Sequence, residues 1–319
     1  MYRLAIDIGS SRATLALVEG GTWDIVAHER ADTGAVLVGQ AAPGIELAAA
    51  AMAFLQAHRV NASELAGVGI GVPGIVDRKT GRVRSCPNLA VLNGADLGAS
   101  MAEQLGVPAF TENDANLIAL GEHMAGAGQG VEDLAVVSVG AGLGCGLILG
   151  GQLYHGANEG AGELGHTQVA PGGLLCSCGA HGCLEMYCSA KALAARAEGL
   201  LDTSALGGAS SRYAGAQLLI EQARAGHAAA QEALGAAFGH LGIALINLVN
   251  LLNPRVIVLG GYVALAWPEG LDLVRDAIQR EALPVAREHV EVRLSALEPY
   301  AGVLGGAALV SAGIRQEYA

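Results

Sequence analysis

The sequence predicts an α/β protein made of two similar lobes. A strand, a glycine turn and a second strand occupy residues 3–18, and the same pattern returns about 130 residues later, at residues 133–149. Elsewhere, short apolar strands alternate with helical stretches, as in α/β proteins. The length of 319 residues fits two domains better than one. The repeated hairpins suggest two lobes that hold phosphates between them.

The first half begins with a hairpin whose strands are residues 3–9 and 13–18, so that Asp7 and Gly9 lie at its tip. A dinucleotide-binding fold is excluded, because there the glycine turn leads into a helix. Apolar periodicity and Gly or Pro boundaries place the remaining elements. These are helices at 46–59, 97–105 and 117–125, and strands at 68–71, before a Gly-Val-Pro-Gly turn, and at 108–111.

The second half opens with a strand at 133–139, a glycine turn at 140–146 and a strand at 147–149. A long apolar helix at 228–252 ends at Asn253-Pro254, because proline cannot continue a helix. The other predicted elements are a loop at 202–215, a strand at 256–259 that ends in Gly260-Gly261, a helix at 271–283, a strand at 290–294 and a closing helix at 305–312.

Composition excludes several classes of protein. Hydrophobic residues make up 52% and charged residues 15%, which excludes a disordered chain. The net charge of −12 argues against a nucleic-acid partner and against an anionic membrane surface. The two lysines, Lys79 and Lys191, lie outside any Walker motif. Polar residues interrupt the most apolar stretch, residues 241–267, and no secretory signal starts the chain. We therefore expect a soluble cytoplasmic protein.

Three cysteines within eight residues indicate a metal site. Cys176, Cys178 and Cys183 follow His166, and together they form a Cys₃His set suited to a structural zinc ion. Glycines at 179 and 182 would let the loop fold tightly, and His181 is a rival fourth ligand. A redox pair is disfavoured because the sequence contains no CxxC. The remaining cysteines are expected to be small buried apolar residues: Cys86, Cys145 and Cys188.

Two glycine-rich turns are candidates for phosphate binding. In residues 7–12, small residues would let backbone amides approach a phosphate, and Asp7 could hold Mg²⁺ through a water. The alternative is an ordinary tight hairpin. Residues 140–146 contain four glycines, more than a core strand would carry. Close approach of the backbone to a ligand explains them better than bulges at a sheet rim.

Asp114 lies in Glu-Asn-Asp-Ala-Asn, residues 112–116, where a strand passes into a helix. A carboxylate there could be only the helix N-cap. It could equally be a general base that accepts a hydroxyl proton, an effect of about 10²–10⁴-fold on rate. The spacing alone leaves both open.

Together these residues resemble the ROK family of bacterial sugar kinases and repressors. The resemblance covers nearly the whole chain, and its most specific parts are Gly-Glu-Leu-Gly-His at 162–166 and the Cys-x-Cys-Gly-x-x-Gly-Cys-x-Glu motif at 176–185. It implies a two-lobed actin-like ATPase (ribonuclease H-like) fold with central mixed sheets and the active site in the cleft. The expected domains are an N-terminal small lobe at 1–117, a large lobe at 118–300 with its zinc loop at 166–183, and a closing helix at 301–319 that packs back on the small lobe.

The resemblance also implies site residues, Mg²⁺ with ATP, a structural Zn²⁺ and a homodimer or homotetramer. Asp114 would be the catalytic base, and zinc would be held by His166, Cys176, Cys178 and Cys183. One ring nitrogen of His166 would face zinc and the other the sugar. The implied sugar-binding residues are Asn88, Asn113, Asp114, Glu163, His166 and Glu185. The implied ATP and phosphate residues are Asp7, Gly9, Ser10, Ser11, Arg12, Gly140, Ala141, Gly142, Gly260, Gly261 and Gly305.

The chain departs from the family pattern in three places. Ser10 replaces a glycine and Ala141 a threonine in the phosphate turns, and residues 90–92 replace Pro-Gly-Trp. We expect an ATP-dependent hexose kinase, with glucose as the first candidate and N-acetylmannosamine, N-acetylglucosamine and fructose as alternatives. A repressor is disfavoured, since a hairpin beginning at residue 4 leaves no room for a preceding DNA-binding domain. A non-catalytic sugar-binding protein is the third possibility.

Overall fold

The computed structural model describes residues 1–203 and 213–317, which form two compact units. The first unit comprises Met1–Gly130, Leu153–Ala161 and Pro299–Ala319, and the second comprises Val131–Gln152 and Gly162–Glu298. The boundary expected after residue 117 would cut through a helix, Asp114–Ala125, that belongs wholly to the first unit. The chain also returns to the first unit at residues 153–161, which the expected domain boundaries did not include.

The strands and helices are numbered in chain order. The strands are Tyr2–Ile8 (β1), Arg12–Glu19 (β2), Ile25–Asp32 (β3), Leu65–Val72 (β4), Ile75–Asp77 (β5), Arg82–Ser85 (β6), Ala109–Asn113 (β7), Leu134–Val139 (β8), Leu143–Leu149 (β9), Gln152–Leu153 (β10), Val256–Gly260 (β11) and Glu291–Leu294 (β12). The α-helices are Thr33–Val36 (α1), Pro43–Ala57 (α2), Leu97–Leu105 (α3), Asp114–Ala125 (α4), Glu185–Cys188 (α5), Ala190–Glu198 (α6), Ala214–Arg224 (α7), Ala228–Leu252 (α8), Gly261–Ala266 (α9), Glu269–Glu281 (α10), Pro284–Arg287 (α11) and Ala301–Glu317 (α12). Short 3₁₀ turns occur at Ala62–Glu64, Ala90–Leu92 and Leu164–His166.

Each unit is built on a five-stranded mixed sheet with the same topology. The first sheet has the order β3-β2-β1-β4-β7, and the second has the order β10-β9-β8-β11-β12. In both, the central strand (β1 or β8) pairs antiparallel with its hairpin partner (β2 or β9) and parallel with a later strand (β4 or β11). The internal duplication suggested by the two glycine hairpins is therefore confirmed at the level of strand order.

The first sheet is covered on both faces. Successive side chains of its strands point to opposite faces, and apolar residues on each face are buried. Leu4, Ile6 and Ile8 are buried in a core shared with α2 and α3. Ala5 faces the other way and packs against Val303 of α12. Glycines allow α12 to approach closely, since a Cβ on Gly69 would collide with the backbone of Gly306. Helix α12 thus covers one face of the first sheet.

Helix α8 runs through the core of the second unit. Its buried residues recur at helical spacing, with Leu234, Phe238, Leu241 and Leu245 among them, and α7 and α10 pack beside it. Within the described part of the chain, α8 is the one helix long and apolar enough to cross a membrane by length and composition, and half of its most apolar window is buried. The apolar stretch at 241–267 is divided between the end of α8, β11 and α9.

The bounds of α3 and α8 agree with those predicted from the sequence. Helix α4 begins at Asp114, three residues earlier than expected, and α12 begins at Ala301. The glycine turn expected at 140–146 is shorter, because strand β9 begins at Leu143 and contains Gly144 and Gly146. The loop expected at 202–215 falls mostly outside the described residues, and α7 begins within it, at Ala214.

Glu46, in the first turn of α2, holds the loop that precedes the helix. Its carboxylate accepts the amides of Gly39, Gln40 and Ala41 at 3.2, 2.7 and 3.0 Å. These hydrogen bonds, led by that from Ala41, lower the pKa of Glu46 below its ordinary value of 4.5. Ionised Glu46 therefore stabilises the folded protein at pH values above 4.5, and this stabilisation is lost as the pH falls through the lowered pKa.

The Glu46→Gln variant should accordingly have a lower Tm than the wild type at neutral pH, because a neutral amide is the weaker acceptor. The difference in Tm should shrink as the pH falls to about 3. Thermal unfolding across this range measures it, with the exposed Glu103→Gln of α3 as control. A Tm difference that does not change with pH would contradict the assignment.

Candidate functional site

In the first unit, the carboxyl ends of three parallel strands bring two predicted functional carboxylates close together. Asp7 is in register with Gly71 of β4, and Gly71 is in register with Glu112 of β7. A Cβ placed on Gly71 would lie 3.3 Å from Asp7 Oδ1 and 3.8 Å from the Cα of Asp114. The same Cβ would lie 2.8 Å from Leu117 Cδ1, so glycine at position 71 lets Asp7, the start of α4 and Leu117 lie close together.

The turn between β1 and β2 is held by Thr33. The amide of Gly9 donates to the carbonyl of Arg12 at 2.9 Å, and the Thr33 hydroxyl donates to the carbonyl of Gly9 at 2.8 Å. The amide of Thr33 donates to the carbonyl of Ser11 at 3.0 Å. Ser11 and Arg12 are exposed and Ser10 is half-buried. Thr33 thus holds the backbone of the turn, while the residues at its tip are accessible to solvent.

Asp7 also lies against the first turn of α12. A Cβ on Gly302 would be 2.5 Å from Asp7 Oδ2, so that only glycine fits there. Glycine at position 302 thus lets the first turn of α12 approach the Asp7 carboxylate closely.

The N-cap of α4 is Asn113, whose Oδ1 accepts the amide of Asn116 at 3.1 Å. The cap alternative for Asp114 is therefore wrong, because Asp114 is the first residue inside the helix. Asp114 is half-buried, and its Oδ1 accepts the amide of Ala115 at 2.9 Å. Asn113 Nδ2 donates to the carbonyl of Gly74 at 3.0 Å. The side-chain amide of Asn113 thus retains one N–H and one lone pair for a ligand.

Asn88 lies on an exposed loop next to this turn. The amide of Cys86 donates to Asn93 Oδ1 at 2.7 Å, and the Cys86 thiol donates to the carbonyl of Pro73 at 3.4 Å. A Cβ on Gly74 would be only 3.0 Å from the Cα of Cys86. The loop that carries Asn88 therefore lies against Gly74, the same residue that accepts the Asn113 side chain.

Behind Asp114, the structure shows a network that the sequence did not reveal. Glu112 is buried, and its Oε1 accepts the amide of Asn113 at 2.8 Å and Nδ2 of Asn116 at 3.0 Å. Its Oε2 lies 2.7 Å from Nε2 of His155, whose Nδ1 lies 3.2 Å from Arg78 Nη1. His155 is 43 residues from Glu112 and 77 from Arg78, so no local motif indicates the contact.

In the second unit, the glycine turn Gly140–Gly142 is held by the segments that follow the cysteine loop. The amide of Gly140 donates to the carbonyl of Gly142 at 3.0 Å, and the amide of Ala190 donates to the carbonyl of Gly140 at 2.8 Å. Glu185 Oε2 accepts the amide of Leu143 at 3.0 Å. Glu185 therefore has one carboxylate oxygen bound to the glycine turn, which the sequence did not predict.

Gly260 and Gly261 lie beside this turn, at the carboxyl ends of β8 and β11. Gly260 is in register with Ser138, and a Cβ on Gly261, which has φ +80°, would lie 2.6 Å from the carbonyl carbon of Val139. The amide of Gly261 donates to Glu298 Oε1 at 3.0 Å. Gly305 belongs to the first unit, where a Cβ would collide with the carbonyl of Leu117 in α4. Close helix packing alone therefore requires glycine at position 305.

The four predicted metal ligands come together in the second unit. One ligand atom each from His166, Cys176, Cys178 and Cys183 lies within 4.8 Å of all the others. His166 Nδ1 is 3.6 Å from Cys176 Sγ, and the Sγ atoms of Cys178 and Cys183 are 3.6 Å apart. Three thiols and one imidazole suit a tetrahedral zinc ion.

The fold of the cysteine loop excludes His181, the rival fourth ligand, from the metal cluster. Leu175 pairs with His181 in a small antiparallel bridge, which leaves His181 exposed and outside the cluster. Gly179 and Gly182 have φ of +91° and +79°, so the expected tight folding at these glycines is confirmed. Backbone hydrogen bonding to Ala180 lowers the pKa of Cys178, whereas burial raises that of Cys183.

The Gly162–His166 segment packs against β9 through its glycines. A Cβ on Gly165 would be 2.5 Å from the carbonyl oxygen of Leu143. Glu163 is exposed, and its Oε2 lies 3.9 Å from Nε2 of His166. The two ring nitrogens of His166 thus face different partners, with Nδ1 toward the thiols and Nε2 toward Glu163.

The remaining cysteines are buried, as the sequence predicted. Burial raises the pKa of Cys86 and Cys188, and it raises the pKa of Cys145 to about 12. These thiols are therefore protonated at neutral pH and act as packing residues.

Comparisons with known proteins agree with this geometry. A glucokinase from Halalkalibacterium halodurans is 33% identical over 330 residues, covering 97% of this chain and 94% of that protein. The structure of a ROK family glucokinase from Streptomyces griseus, in complex with glucose and AMPPNP, superposes with a TM-score of 0.80 at 30% identity, over 98% of this chain and 100% of that one. The transcriptional repressor Mlc of Escherichia coli is 30% identical over 81% of this chain but only 63% of its own length.

These similarities confirm the α/β fold with central mixed sheets, of the actin-like ATPase class, that the motif resemblance implied. The sequence model of the ROK family matches residues 3–312, nearly the whole chain. On that match, and on a glucokinase relative aligned over almost its full length, the chain belongs to the ROK family.

Proposed function

We propose that the protein is an ATP-dependent sugar kinase that phosphorylates a hexose hydroxyl, with glucose to glucose 6-phosphate as the first candidate. The observation that carries the proposal is the pair Asp7 and Asp114, which both lie close to Gly71 at the carboxyl ends of the parallel strands. One carboxylate suits a hydrated cation and the other suits a hydroxyl proton. The glucokinases among its relatives support the same activity.

In this proposal Asp114 is the general base. The sugar hydroxyl oxygen forms a bond to the γ-phosphorus as the bond to the bridging oxygen breaks, ADP leaves, and the hydroxyl proton passes to Asp114. Mg²⁺, when bound with ATP, offsets the negative charge of the phosphates. Asp7 would hold it through water, and amides of the Gly9–Arg12 and Gly140–Gly142 turns would orient the phosphates. The nucleotide assignments of Gly260, Gly261 and Gly305 remain predictions.

Sugar recognition is assigned to residues with free polar groups. Asn88, Asn113, Glu163, His166 and Glu185 would bind the hydroxyls. The structure supports this assignment in two ways: Glu163 is exposed beside Nε2 of His166, and Glu185 keeps Oε1 available while Oε2 holds the glycine turn. His166 would thus bind zinc through Nδ1 and the sugar through Nε2.

Zinc in this proposal is structural. His166, Cys176, Cys178 and Cys183 would hold it, and the ion supplies a cross-link for a loop with few apolar side chains of its own. The cross-link orients Glu163 and Glu185, which lie immediately beside the ligand-bearing segments. We further propose that the protein acts in the cytoplasm as a homodimer or homotetramer.

The deciding experiment is ADP release by the purified full chain with Mg·ATP across glucose, fructose, mannose, N-acetylglucosamine and N-acetylmannosamine. We expect ADP release that depends on one of these sugars, measured against a control without sugar. Absence of sugar-dependent ADP release across the panel would contradict the proposal.

A non-catalytic sugar-binding role is the second candidate, and Ser10 and Ala141 favour it. Ser10 adds a side chain where a phosphate should approach the backbone, and Ala141 removes a hydroxyl from the second turn. Calorimetric binding of a sugar without consumption of ATP would support this role. The same sugars incubated with inorganic polyphosphate, with formation of sugar phosphate as the measurement, would separate it from a kinase with another phosphate donor.

A further inference from the structure

We propose that His155 is a positioning residue for Asp114, acting through Glu112 and held in place by Arg78. This inference rests on the proposed function, because it assigns His155 a role in the reaction for which Asp114 is the base. The His155 and Glu112 side chains are only 10% and 7% exposed, and their Nε2 and Oε2 atoms are 2.7 Å apart. The segment 153–161 returns to the first unit and brings His155 to this place.

The hydrogen-bond donors fix the tautomer of His155. Arginine has donors and no acceptor, so His155 Nδ1 must accept from Arg78 Nη1, 3.2 Å away. Nε2 then carries the hydrogen and donates it to Glu112 Oε2. Arg78 thus sets the ring orientation in which His155 can donate to Glu112.

Glu112 transmits this orientation to the first turn of α4. Its Oε2 is taken by His155, and its Oε1 accepts both the amide of Asn113 and Nδ2 of Asn116. A buried carboxylate needs such donors, since an unmet acceptor is costly away from water. Asp114 lies between Asn113 and Asn116, so the carboxylate of Glu112 holds the backbone amide before the proposed base and a side chain two residues after it.

Loss of the His155 hydrogen bond would leave Glu112 Oε2 without its donor in a buried place. The carboxylate would then turn toward water or toward other donors and release one or both asparagines. The expected consequence is a displaced Asp114 and not an unfolded unit, because the sheet and the α4–α12 packing do not involve His155. A displacement of about 1 Å at a reacting group can cost about 10²-fold in rate.

The test compares His155→Phe with His155→Gln, whose side-chain amide can still donate to Glu112. Arg78→Met, at an exposed position, is a second variant that leaves the buried pair in place. The matched control is His58→Phe, because His58 Nε2 makes an exposed 3.2 Å hydrogen bond with Glu29 Oε1 elsewhere in the same unit. The measurements are kcat and KM for the best sugar of the panel, KM for ATP, Tm, and amide hydrogen exchange over residues 112–117.

For His155→Phe we expect kcat to fall by about 10²-fold with an unchanged KM for ATP. His155→Gln should restore most of kcat, Arg78→Met should lose less, and His58→Phe should match the wild type. Exchange at 112–117 should be faster in His155→Phe alone. Unchanged kcat and unchanged exchange in His155→Phe would overturn the proposal. So would an equal loss in the Phe and Gln variants that follows a fall in Tm, since that pattern indicates only a structural role.

Hydrogen exchange separates this inference from the proposed function. If the wild type consumes no ATP with any sugar, the kinase proposal fails, yet exchange at 112–117 still reports whether His155 holds the Asn113–Asn116 turn. Faster exchange in His155→Phe would then support positioning of the turn. Unchanged exchange would overturn it.

Discussion

The Asp114→Asn variant is expected to lose phosphoryl transfer, with kcat lower by about 10²–10⁴-fold, because an amide cannot accept the proton of the attacking hydroxyl. The introduced side-chain amide has an Oδ1 that should keep the hydrogen bond which Asp114 Oδ1 accepts from the amide of Ala115 at 2.9 Å. The first turn of α4 should therefore be unchanged, and sugar binding should stay within about threefold of the wild type. Rates of ADP release and calorimetric titration with sugar measure the two effects separately.

The control for this variant is Asp276→Asn, an exposed aspartate on α10 for which we assign no role. It makes the same change of charge and should leave kcat and sugar affinity as they are. An Asp114→Asn enzyme with wild-type kcat would remove Asp114 from the mechanism. Equal losses of kcat and sugar binding would instead indicate that Asp114 holds the sugar and does not act as the base.

The second large effect is expected from Cys178→Ser, which removes one of four ligands from the Cys₃His cluster. Cys178 is the exposed member of the set, so the substitution leaves the apolar core intact. Binding of zinc contributes about 10–16 kcal/mol to the folding of small zinc peptides, and loss of one ligand forfeits much of this. We expect zinc content well below one ion per chain, faster hydrogen exchange at 163–185, and a clear fall in kcat.

The fall in kcat should come from Glu163 and Glu185, because the loop that carries them loses its cross-link. The matched control is Cys188→Ala, a buried cysteine outside the cluster, which should retain zinc. Metal analysis by mass spectrometry, beside the ADP assay, provides both readings. A zinc-free Cys178→Ser protein with full activity would exclude a structural role for the ion.

Local motifs were sufficient to predict the features of this chain that are themselves local. The two glycine hairpins predicted the duplicated sheet topology, and the helix at 228–252 was bounded correctly because Asn253-Pro254 ends it. The cysteine cluster followed from spacing, since His166 and the three thiols lie within 18 residues of one another. The residues of each of these features are near one another in the sequence, so a local motif is enough to predict them.

Contacts between distant residues could not be predicted in this way. Glu185 accepts the amide of Leu143, 42 residues away, and Glu112 pairs with His155, 43 residues away. A glycine that tertiary packing requires also cannot be told from a turn glycine by local sequence. Gly144 and Gly146 lie inside β9, and a Cβ on Gly162 would be 2.2 Å from the carbonyl oxygen of Cys145, so another segment packs tightly against this strand.

The placement of α12 has a consequence for the order in which the protein is made. This helix covers one face of the first sheet, but it leaves the ribosome after every other described element. Domains generally fold as units during synthesis, the N-terminal one first. Here the N-terminal sheet must wait, with Ala5 and Ala16 uncovered, until residues 299–319 emerge, whereas the second unit is fully synthesised at residue 298. The unit that carries the proposed base is therefore begun before the second unit and completed after it.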